Sequence, residues 1–170
     1  MTRITQAILT EALQDLEHLG AQAQVTLADE VYARQPTLLG AVLVLKQFGA
    51  SNVQIGIALH VMFVAWAAMK RCAAKSKVKW PKITEDDHDL CMQRLTARIN
   101  FIEDIPKDQW DEVCKQQVAD YAEPYLLAYA FGYLREQGIS AGNSDLDKQV
   151  WLSSLGIVEC VAYAASRIKR

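Results

Sequence analysis

An all-α fold of seven or eight helices in one domain is predicted by three features of the sequence. Apolar residues recur at helical spacing along most of the chain, and capping residues and prolines divide it into segments of helical length. No segment alternates polar and apolar residues long enough to read as a strand. At 170 residues the chain fits one domain with a sizeable core, and a content of 51% hydrophobic and 22% charged residues excludes disorder. The net charge of −2 offers no overall attraction to nucleic acid or anionic membrane, so any basic site has to be local.

The first helix is expected from about Thr5 to Leu19, where Ile8, Leu9, Ala12, Leu13, Leu16 and Leu19 form one apolar stripe and Gly20 follows. Thr26 and Asp29 read as a variant capping box opening a short second helix that Pro36 ends. Pro36 suits the first turn of a third helix, TLLGAVLVLKQF, stopped by Gly49. Ser51 or Asn52 then caps a fourth helix, which short connections make the antiparallel partner of the third.

Residues 53–69 of that fourth helix, VQIGIALHVMFVAWAAM, are apolar on every side apart from Gln54 and His60. Such a helix belongs in a core or a membrane. Spanning a bilayer takes roughly 20 apolar residues with few polar ones, and this run is shorter, with a histidine near its middle. A core position is expected.

Lys70 to Lys82 form a basic connector without an acid, broken by Pro81. A fifth helix opens with Thr84, Glu85, Asp86 and Asp87, which match a positive helix start. Leu90, Cys91, Leu95, Ile99 and Ile102 give it an inner face, and Ile105-Pro106 ends it. Asp104 or Asp108 caps a sixth helix with the stripe Trp110, Val113, Cys114, Val118, Tyr121 and Ala122, and Pro124 breaks it. Its continuation, YLLAYAFGYLREQ, ends at Gly138, and Asn143 or Ser144 starts the last helix.

The last helix echoes the fourth. Aligned without a gap, Val53, Val61, Val64, Ala65, Ala67 and Ala68 fall on Val150, Val158, Val161, Ala162, Ala164 and Ala165. Upstream, Tyr32, Leu38, Leu45, Gly49 and Ser51 fall on Tyr121, Leu127, Leu134, Gly138 and Ser140. The pattern suggests two similar halves, residues 1–83 and 84–170. Gly56, Ala58 and the alanines of the fourth helix face small residues of the last, so the two are expected to touch at the centre.

His60 and Glu159 are the candidate ligand-binding residues, because each is ionisable in apolar surroundings and needs a partner or a shifted pKa. They are expected to bond each other or to line one small polar pocket. Glu85-x-x-His88 has the spacing of a di-iron helix, but such a site needs a second copy and two inward glutamates, Asp15-x-x-His18 is the only other candidate copy, and a solvated acidic helix start with Asp86, Asp87 and Asp89 explains the pair better. No metal and no cofactor is expected. Cys72, Cys91, Cys114 and Cys160 lack metal or redox spacing and read as free buried thiols; Cys72 follows Lys70 and Arg71, which could lower its pKa. Tyr121, Tyr125, Tyr129 and Tyr133 recur every four residues, a core or interface stripe. No nucleophile motif or phosphate loop is present.

The leading expectation is a non-enzymatic cytoplasmic helical protein, since the amino-terminal stretch lacks an apolar core long enough for a secretory signal. It would act by binding a protein partner or a second copy of itself. The alternative is a small-molecule binder or enzyme whose site lies between the halves and uses His60 and Glu159. A weaker one is anion or nucleic-acid contact through Lys75, Lys77, Lys79 and Lys82, with Trp80 as a stacking surface.

Overall fold

In the computed structural model, residues 3–103 and 106–168 are described, with the side chains of residues 102, 103, 107, 110, 111 and 114 left aside. Among them the chain is all-helical, with no strand. Eight α-helices follow in order: α1 Gln6–Glu17, α2 Ala21–Arg34, α3 Pro36–Leu43, α4 Asn52–Ser76, α5 Glu85–Glu103, α6 Trp110–Ala119, α7 Pro124–Glu136 and α8 Asp145–Arg167. Short 3-10 turns at Val44–Lys46 and Lys107–Gln109 extend α3 and precede α6. The proposed cap Asp104, the helix end at Ile105 and the stripe residues Ile102, Trp110 and Cys114 fall, wholly or by their side chains, outside what is described, and Gln109, not the alternative Asp108, is the N-cap of α6.

At the centre α4 and α8 pack along each other, with α1 covering α4 and α5 covering α8. Ser51 opens α4 with a full capping box to Gln54, and Ser144 opens α8 by accepting from the Asp147 N–H. The two starts lie side by side, because Gln54 Nε2 donates to Asp147 Oδ1 at 3.0 Å. Ala58, Ala65 and Ala68 of α4 are fully buried, as are Ser154, Ile157 and Val158 of α8. Gly56 is an exception to the expected interface: it is exposed, and an added Cβ there would meet nothing. A close approach that needs glycine occurs between α8 and α5, at Gly156, where a Cβ would come within 2.6 Å of Met92 Sδ. By length and composition α4 could cross a membrane, yet here it forms the core.

The second helix begins five residues before Thr26. Gly20 is its N-cap, and Thr26 Oγ1 bonds back to the Gln22 carbonyl from inside the helix instead of capping it. Its apolar side is thin, and packing of Val31, Leu27 and Ala28 onto the core decides its extent.

Two buried polar side chains tie the helices to the extended segments that lead into α1 and α5. Gln35 (3% exposed) precedes Pro36, and Glu123 (1% exposed) precedes Pro124. Proline pushes the residue before it off helical angles, and the two share nearly one backbone conformation, φ −138°, ψ 60° and φ −125°, ψ 69°. Gln35 Nε2 donates to the Pro81 carbonyl and Gln35 Oε1 accepts from the Ile83 N–H, each at 2.9 Å. Glu123 accepts from the N–H groups of Arg3 and Ile4, also at 2.9 Å. One residue further on, Thr5 and Thr84 cap α1 and α5 through their hydroxyls. Arg3 also donates to the carbonyls of Ala165 and Ile168 at the end of α8.

Removing Glu123 takes the acceptor from the Arg3 and Ile4 N–H groups, and removing Gln35 takes the partners of the Ile83 N–H and the Pro81 carbonyl, which costs about 1–3 kcal/mol per buried group. Glu123→Ala is expected to lower unfolding free energy by about 3 kcal/mol and Gln35→Ala by about 2. Urea denaturation measures both, and Glu123→Gln should lose less than Glu123→Ala because it keeps one acceptor.

Candidate functional site

His60 and Glu159 neither bond each other nor share a pocket. They sit on the two central helices but face different neighbours, because each carries its own partner from the surrounding shell. His60 Nε2 meets the Tyr129 hydroxyl at 2.7 Å, and its ring lies 4.4 Å from the ring of Tyr133. Glu159 accepts from Arg98 at 3.0 and 3.4 Å and from the Tyr121 hydroxyl at 2.6 Å. The tyrosine stripe is thereby split, with Tyr121 serving Glu159, Tyr129 and Tyr133 serving His60, and Tyr125 exposed.

Around Glu159 the chain builds a neutral polar triad beneath an apolar cleft. Arg98 comes from α5, where it flanks the apolar stripe of Leu95 and Ile99, and Tyr121 comes from the turn between α6 and α7. The Arg98 guanidinium also lies over the Tyr121 ring, 5.0 Å from its centroid. Glu159 is only 6% exposed, so its charge needs these donors. Burial works against the charge of Arg98, but the Glu159 carboxylate beside it outweighs burial and raises its pKa. Burial, then the Glu159 charge, pushes the Tyr121 phenol far up, which keeps it a donor.

Above the triad lies a cavity of about 50 Å³ between α5, α6, α7 and α8, partly open to solvent. Leu95, Ile99, Val118, Leu127 and Leu155 form its walls, with Phe131 and Trp151 at the edge, 6.1 Å apart. At roughly 10–15 Å³ for each water-sized position, such a space takes about four non-hydrogen atoms, the size of one leucine side chain. Ligand sites that enclose a whole small molecule are of the order of 300–1,000 Å³.

The His60 side opens as a shallow groove of about 240 Å³ lined by Leu16, Leu19, Gln24, Gly56, Leu59, Phe63 and Tyr133. Burial holds the imidazole pKa below its ordinary 6.5, and burial followed by the neighbouring Tyr133 and Glu136 pushes Tyr129 up to about 12. A neutral histidine accepting from a neutral phenol satisfies both groups, a stable arrangement with no reactive member.

The basic connector is dispersed by the fold. Lys75 and Arg71 pair with Glu11 and Asp15 of α1, and Lys70 pairs with Glu30 of α2. Trp80 is packed into the core at 9% exposure, so its ring is not the stacking surface that the sequence suggests. Lys77, Lys79 and Lys82 remain exposed. Cys72 is buried, and burial raises its pKa instead of Lys70 and Arg71 lowering it. His88 lies 3.9 Å from Asp89, and no three metal-binding side chains cluster among the described residues.

Sequence reasoning missed Arg98 as the partner of Glu159; its place beside an apolar stripe was the available signal. It also missed the contact between Cys91 of α5 and Cys160 of α8. The Cys160 thiol, as hydrogen-bond donor, is the main cause of a lowered Cys91 pKa. Compared with known protein families, curated proteins and solved structures, the chain matches none. The residues and their geometry therefore carry the functional argument.

Glu159→Ala leaves Arg98 and Tyr121 without their acceptor and is expected to cost about 3 kcal/mol in urea denaturation. The triple change Glu159→Met, Arg98→Leu and Tyr121→Phe removes both charges and the hydroxyl that Glu159 accepts from, and should recover most of that loss, since apolar replacements of buried ion pairs are often neutral or stabilising. For His60 the folded chain binds fewer protons than the unfolded chain wherever pH lies between the depressed folded pKa and the ordinary 6.5. Stability should therefore fall as pH drops below 6.5 and level off beneath the folded pKa. His60→Gln should flatten that slope when thermal midpoints are compared between pH 7.5 and 5.

Proposed function

We propose that this protein acts by binding another protein, and that the cleft above Glu159 receives one apolar side chain of that partner. The observation that carries this reading is the size of the cleft: room for about four non-hydrogen atoms suits a leucine-like anchor and is several times too small for an enclosed metabolite. Its make-up supports the same reading. Aromatic residues are enriched at protein interfaces and their anchors fill desolvated pockets, and here Phe131, 38% exposed, and Trp151 line an apolar cleft beside a triad without net charge. The reading is of a non-enzymatic protein in the cytoplasm, in keeping with Cys72, Cys91 and Cys160 serving as buried apolar residues.

The finer reading of the architecture is a single domain made by duplication of a four-helix unit, α1–α4 followed by α5–α8. Support comes from matched local geometry: Ile4-Thr5 with Ile83-Thr84, the positive-φ turns at Gly49 and Gly138, and, one residue out of the Leu38–Leu127 register, Gln35-Pro36 with Glu123-Pro124. On this alignment Arg98 and Glu159 stand where the first unit has Leu19 and Met62. The second unit would then be the specialised one, and its cleft the place where the copies diverged.

Val118→Phe fills the cleft from α6 and tests the function. Tagged wild-type protein cross-linked in its own host should retain a partner that Val118→Phe loses, with melting curves within about 3 °C of each other, a shift equivalent to about 1 kcal/mol. Retention of the same partners by the filled variant would remove the basis of the reading. Extra mass from a bound small molecule in native mass spectrometry would favour the metabolite alternative.

A further inference from the structure

We propose that two copies of this chain exchange halves, giving a dimer in which residues before the link at Lys77–Lys79 of one copy pack on residues after it in the other. The inference does not rest on the cleft. What carries it is the reciprocity of the two ties. Gln35, in the first half, holds the lead-in to α5 at Pro81 and Ile83. Glu123, in the second half, holds the lead-in to α1 at Arg3 and Ile4. Each half thus grips the segment that starts the other, and α4 lies against α8, α3 against α8, and α7 against α4 and α1.

All of these contacts join a residue before the link to one after it, so a second copy can supply every one with unchanged geometry. The ion pairs at the basic end of α4, Lys70–Glu30, Arg71–Asp15 and Lys75–Glu11, lie within the first half and are untouched. Only the link differs between the closed monomer and the exchanged dimer, which is the general condition for swapping at low cost.

The link is also where the closed form is strained. Lys77 ends α4 in the left-handed region, at φ 52°. Gly49 and Gly138 have positive φ as well, and Lys77 is the one non-glycine to do so among the described residues. Glycine adopts that region freely, whereas a residue with a Cβ does not. Straightening the link relieves the backbone at Lys77.

Because α4 and α8 are buried along most of their length, folded halves do not part, and exchange occurs while chains fold together. The test is refolding of denatured full-length protein at low and high concentration, followed by size exclusion with light scattering. A dimer fraction that rises with refolding concentration and persists on dilution supports exchange, and Lys77→Gly should reduce that fraction several-fold. Deleting Val78 and Lys79, which leaves the link too short to turn back, should give dimer at every concentration with unchanged helical circular dichroism. Isotope-labelled and unlabelled chains refolded together should yield a mixed-mass dimer. The proposal is overturned if wild type is monomeric throughout, if the shortened chain is monomeric or unfolded, or if a dimer forms that dissociates on dilution and ignores Lys77→Gly.

Discussion

The structure depends on the need to keep two helices dry on every side. A helix with a single apolar stripe can rest on a core and show its back to water, but α4 and α8 have almost no polar back to show. Residues 61–69 of α4 and 153–162 of α8 are all buried. Two such helices covering each other leave most of their circumference bare, so the remaining six helices are arranged as a cover: α1 and α3 over α4, α5 and α7 over α8, and α2 and α6 over those. Burial at about 25 cal/mol per Å² of apolar surface is the force that holds this arrangement.

That cover has to be closed at its seams, and polar chemistry closes them. Gln35 and Glu123 each make two hydrogen bonds to backbone groups of the lead-in segments to α5 and α1. Burying an amide or a carboxylate is unfavourable unless its bonds are made. Here the same bonds rescue the side chain and the backbone together, which makes each tie specific to one partner segment. The pre-proline backbone at both positions aims the side chain away from its own helix.

Glu159 shows the same rule with a different result. Its carboxylate is answered by Arg98 from α5 and Tyr121 from the α6–α7 turn, two long side chains that reach it from different elements. Polar groups that must keep hydrogen-bond geometry cannot collapse onto one another as methyl groups do. A space therefore remains above them, walled by leucines and open between Phe131 and Trp151. On the other side of the core His60 is answered by a phenol stacked close to a second ring, and the surface there stays shallow.

By itself the sequence determined that the chain is helical, where α1, α3, α4, α5, α7 and α8 run, and that the most apolar run lies inside. These follow from local rules: apolar spacing, the serines before α4 and α8, and the prolines at the first turns of α3 and α7. The start of α2 escaped because Thr26 looks like a cap, and only packing of the helix on its neighbours shows that the turn before it is helical too. The partners of His60 and Glu159 were decided by tertiary structure alone. A side chain 61 residues away in the chain, as Arg98 is from Glu159, leaves no periodicity to read. Which residue answers a buried charge depends on how whole helices are rotated against each other, and that rotation is set by the sum of all their contacts.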